Sequence, residues 1–92
     1  MSLGIKFETF IDNQKETCAE QFQIGENVQG QGQDVCQENC NSNNECKFYF
    51  FSNNGWCNLY TACGSTKVTK QSGSTFEKKG KYMDINLLVL NI

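Results

Sequence analysis

Six cysteines in ninety-two residues constrain this chain more than any other feature. A domain this short buries too small a fraction of its surface for a comfortable margin of stability, and three disulfides are the usual remedy in small extracellular domains. Three of the six, Cys36, Cys40 and Cys46, fall in the stretch "DVCQENCNSNNECKFYFF" (34–51), directly before an aromatic run. They could be metal ligands, redox groups or staples. A structural zinc site usually pairs its ligands with two to four residues between them. Here the gaps from Cys36 to Cys63 are three, five, ten and five residues, and the chain has no histidine. Redox chemistry of the thioredoxin kind needs C-x-x-C, which is absent. A cysteine nucleophile would lack its histidine base. Staples fit the spacing best, and the compartment they imply is oxidising.

The missing histidine also removes the commonest general base and the physiological pH switch, which weighs against an enzyme. No cofactor is expected. The ten carboxylates include no pair placed to flank a scissile bond. Net charge is −2 and there is no arginine, so nucleic acid is an unsuited partner. The longest apolar stretch, "INLLVLNI", is far short of the ~20 residues of a membrane span. No secretory signal opens the sequence although cysteines imply secretion, so the chain reads as a domain excised from a longer protein. Residues 1–3 read as an added start and 4–92 as a single domain.

Along the chain, "IKFETFI" (5–11) suits a half-buried strand. Residues 18–29 are open between a strand and a short helix, and "GQGQ" (30–33) is a flexible connector. Asp34 and Gln37 have capping-box spacing, which predicts a helix from Asp34 to about Cys40 or Asn41. A helix so short is marginal alone. Cys36 and Cys40 lie on one face of it, which must look at its neighbour. "CKFYFFS" (46–52), the turn "NNG" (53–55) and "WCNLYTAC" (56–63) predict a hairpin. Further strands are expected around "TFEKK" and "YMDINLLVL". The fold class is therefore α+β: a small disulfide-rich antiparallel sheet of about five strands with one short helix across it.

"VCQENCNSNNECKFYFFSNNGWCNLY" resembles the core of PAN/Apple domains, with Cys-x3-Cys on a helix, a short loop, Cys-x-aromatic-aromatic on a strand and Cys-x-Leu on the next. "SGSTFEKK" (72–79) is similar to the ending many such modules share, so the resemblance covers residues 18–79. Six cysteines allow 15 connectivities and spacing alone does not choose among them. The resemblance implies Cys36–Cys57 and Cys40–Cys46, with Cys18–Cys63 as the remaining pair. That last pair departs from apple domains proper, whose outer disulfide joins the two chain ends. The resemblance further implies a non-catalytic extracellular module that binds protein or carbohydrate, as in adhesion.

Candidate ligand-binding residues are Trp56, Tyr49, Tyr60, Lys67 and Lys70. Exposed aromatics mark contact surfaces, and an indole at a hairpin end can stack on a sugar or anchor a partner. Against this, Tyr49 and Phe51 on one face of their strand, and Phe48 and Phe50 on the other, are equally accounted for as core. The lysines at 67, 70, 78, 79 and 81 could meet acidic glycans, or could be a solvated face that protects a sheet edge. A free-standing cysteine-rich effector, such as a protease inhibitor or toxin, is the alternative function. The chain is expected to be monomeric, with residues 85–92 a possible dimerising strand.

Overall fold

The computed structural model describes residues 5–81. Five strands, β1 (Ile5–Thr17), β2 (Gln23–Gln29), β3 (Phe48–Ser52), β4 (Trp56–Tyr60) and β5 (Lys67–Lys81), and one helix, α1 (Gln33–Asn41), account for most of it. All strand pairings are antiparallel, and the sheet order is β1-β5-β3-β4-β2. This is the α+β architecture the sequence predicts. The expected strand around residues 82–90, the segment 85–92 and the start at 1–3 lie outside the described residues.

The aromatic run becomes β3, paired on both sides. Its alternation sorts the core into two layers, because successive strand residues point to opposite faces. Tyr49, with Phe51 and Phe76 partly buried beside it, packs with Cys36, Cys40, Cys46 and Cys57 on the helix side. Phe50 packs with Tyr60, Cys18 and Cys63 on the opposite side, where Phe22 and Phe48 flank them. Both faces of the sheet thus hold core.

Helix α1 is nine residues long and buries only Cys36 and Cys40. An isolated helix of this length does not hold itself together in water. Here it is tied at both cysteines: Cys36 to Cys57 in β4 and Cys40 to Cys46 ahead of β3, while Cys18 bonds Cys63 beneath the sheet. The first two are the pairs that the resemblance implies, and the third is the pair they leave. The capping box does not form. The helix starts one residue earlier, with Gly32 at the N-cap and no side-chain cap, and the Asp34 carboxylate accepts from the Val35 N–H instead. The early start puts Gln33 one turn before Gln37. Both reach the Tyr49 hydroxyl, which donates to Gln37 Oε1 (2.7 Å) and accepts from Gln33 Nε2 (3.4 Å).

Residues 18–29 contain both of the elements held open, a 3₁₀ turn at Glu20–Phe22 followed by β2. The hairpin strands are shorter than predicted, starting at Phe48 and ending at Tyr60. Strands β1 and β5 are longer than predicted, running through polar sequence to Thr17 and back to Lys67. No helix among the described residues is long and apolar enough to cross a membrane.

Candidate functional site

Two sheet irregularities build a cleft on the face opposite the helix. In the β2–β4 ladder Ile24 pairs with Leu59 and Val28 with Cys57, so residues 25–27 of β2 stand opposite Asn58 alone. Gly25 supplies the left-handed backbone of this bulge (φ 68°), a conformation that costs a glycine nothing sterically. In the β1–β5 ladder Glu16 pairs with Val68 and Gln14 with Gly73, so residues 69–72 of β5 stand opposite Lys15 alone. Where that bulge rejoins the sheet, Gly73 is pressed against β3. A Cβ there would lie 2.5 Å from the Phe51 carbonyl oxygen. Bulges re-aim side chains, and they concentrate beside functional sites.

Asn27 from the first bulge and Thr69, Lys70 and Gln71 from the second enclose a cleft of about 240 Å³ together with Phe50, Trp56 and Asn58. The hairpin turn fixes the indole's backbone: Ser52 Oγ accepts the Trp56 N–H (2.8 Å) and donates to Asn54 Oδ1 (2.7 Å). Gln29 Nε2 donates to the Asn54 carbonyl from β2. Asn58 faces the same side as Phe50, its partner across the β3–β4 ladder. Its Nδ2 donates to the Tyr60 hydroxyl (3.2 Å), while its Oδ1 is enclosed and has no hydrogen-bond partner among the described residues. Buried polar atoms are ordinarily paired, so this oxygen is an unsatisfied acceptor within the wall of the cleft.

Of the residues proposed from sequence, Trp56 and Lys70 line this cleft together. Lys67 does not: its ammonium pairs with Glu20 (3.2 Å) on the exposed surface. Tyr49 and Tyr60 are corrected to core residues. Both are wholly buried, and a buried ring has no face to offer a ligand. Burial also raises the Tyr49 phenol above its ordinary pKa, the hydrogen bond from Gln33 opposing in part. The lysine-rich second half is largely engaged within the molecule. Lys79 pairs with Glu77, and Lys78 donates to the carbonyls of Cys40 (2.7 Å) and Asn43 (3.1 Å) at the helix C-terminus. Lys70 has no ion pair among the described residues.

Asn27, Asn58, Thr69 and Gln71 escape sequence reasoning, because amides in polar segments carry no periodic signal. The one available hint is Gly25 inside a strand, which marks a bulge. Compared with known proteins, the chain matches no family model, and no curated protein and no solved structure matches it significantly.

Proposed function

We propose that the chain is a non-catalytic extracellular binding module of the PAN/Apple kind, one unit of a larger secreted or surface protein, docking a protein or a glycan. The observation that carries this reading is the cleft, where a half-buried indole stands among amide, hydroxyl and ammonium groups on a stapled sheet. Amides and hydroxyls hold a ligand through directed hydrogen bonds without moving protons, and the indole offers broad apolar contact. Three disulfides support an oxidising compartment. The Cys36–Cys57 and Cys40–Cys46 bridges and the helix packed on β3 and β4 of the five-stranded sheet support the PAN/Apple likeness. A glycan array and a pull-down from extracellular material, both with fully oxidised protein, test the reading. Binding in either that weakens in Trp56→Ala is the expected outcome, and no binding in both would defeat it.

A further inference from the structure

We propose that the cleft takes a single carboxylated pyranose, with the sugar ring on Trp56, its hydroxyls on the amides and its carboxylate on Lys70. This rests on the binding-module reading and names its ligand. At about 240 Å³ the cleft is smaller than sites for drug-sized molecules. It suits one ring, with the rest of a glycan projecting outward. A pyranose presents an apolar C–H face and a rim of hydroxyls that both donate and accept. The indole of Trp56 matches the first, and the Gln71 amide together with the Asn27 amide nitrogen, whose Oδ1 already accepts from Gln23 Nε2 (2.6 Å), match the second.

Charge selects the kind of sugar. Among the described residues no carboxylate lines the cleft, and its one ionic group is the ammonium of Lys70. A single ammonium beside the Gln71 amide offers enough donors for the two oxygens of a carboxylate. The neighbouring hollow, which shares Asn27, carries Glu20 and Glu26. Lys67 offsets Glu20. Glu26 therefore opposes an anion on the Asn27 side and directs the carboxylate to the Lys70 side.

Trp56 is the chain's single tryptophan, so its fluorescence reports the site directly. Titration of the oxidised protein with methyl glucuronide and with N-acetylneuraminate should give a saturable change at low ionic strength, and methyl glucoside should bind about tenfold more weakly, the preference shrinking with salt. Lys70→Met should reduce the acids to the level of the neutral sugar. Glu26→Gln should strengthen them, and Lys67→Met, which uncovers Glu20, should weaken them much less than Lys70→Met does. Lys70 is exposed, so its replacement does not threaten the fold. Response to only one of the two acids tells a uronic from a sialic type and supports the proposal. Equal binding of neutral and acidic sugars, an acid preference that survives Lys70→Met, or no response to any sugar would overturn it. If the array or pull-down finds a partner while Trp56 stays silent to sugars, the sugar assignment fails and the module reading stands.

Discussion

Tyr49 shows how one residue ties the helix to the sheet. Its ring stacks on Phe76 (centroids 4.8 Å) and meets Phe7 edge-on (5.3 Å), and its hydroxyl is shared by Gln33 and Gln37 of α1. Tyr49→Phe keeps the ring and removes the hydroxyl. At neutral pH this should cost about 1 kcal/mol, the net value of a typical intramolecular hydrogen bond. The pH dependence is the more specific test. Burial raises the folded-state pKa above the phenol's ordinary value, so the unfolded chain releases this proton first. Stability from that difference is fully present below about pH 10 and is lost as pH rises through the folded-state value. Denaturant melts between about pH 9 and 11, bracketing the ordinary phenol pKa, should show a shallower decline in Tyr49→Phe than in the native protein. Parallel declines would remove Tyr49 from the alkaline transition.

At the scale of elements, α1 depends on what its neighbours supply to its C-terminus. Lys78 of β5 delivers an ammonium to the Cys40 and Asn43 carbonyls, adding a charged donor to acceptors that already take the Asn43 and Cys46 N–H groups and opposing the negative end of the helix dipole. Lys78→Met retains the aliphatic stem and deletes both contacts. The loss should be about 1–2 kcal/mol, read by chemical denaturation, with faster amide exchange confined to residues 39–46. Unchanged exchange there would show that the ammonium does not hold the helix. This contact joins residues 38 apart, so no local pattern announces it. The alternating "CKFYFFS" and the turn after it were legible because β-propensity and turn chemistry agree with the fold. "DNQKET" (12–17) and "KVTKQS" (67–72) were not legible as strands. They hydrogen-bond to each other across the β1–β5 ribbon while most of their side chains stay in water, so they carry no apolar alternation. The cleft was half visible for the same reason: Trp56 and Lys70 draw attention by residue type, but only the two bulges bring them together with the amides.

At the scale of the whole molecule, the disulfides decide both stability and site geometry, and the two effects are separable. The bridges span sequence separations of 45, 21 and 6 residues for Cys18–Cys63, Cys36–Cys57 and Cys40–Cys46. In the chain-entropy picture they restrain the unfolded state by about 4, 3.4 and 2.4 kcal/mol, upper figures that do not simply add. Even half their sum rivals the stability of an entire small domain, so full reduction should unfold the protein. Removing the bridges singly as Cys→Ala pairs should lower the melting temperature in that order, by roughly 4–8 °C per kcal/mol for a domain of this size. The consequences for binding follow a different order. Cys57 sits between Trp56 and Asn58 in β4, opposite Phe51, so its bridge fixes the strand that carries two walls of the cleft. The Cys40–Cys46 ring lies on the helix side, among residues that do not line the cleft. At a temperature where both variants remain folded, the Cys36/Cys57 variant should therefore lose ligand response at Trp56 while the Cys40/Cys46 variant retains it. Circular dichroism confirms folding and the fluorescence titration reads binding in the same samples. Equal loss in both variants would mean that the cleft depends on global stability alone and not on the strand that Cys57 anchors.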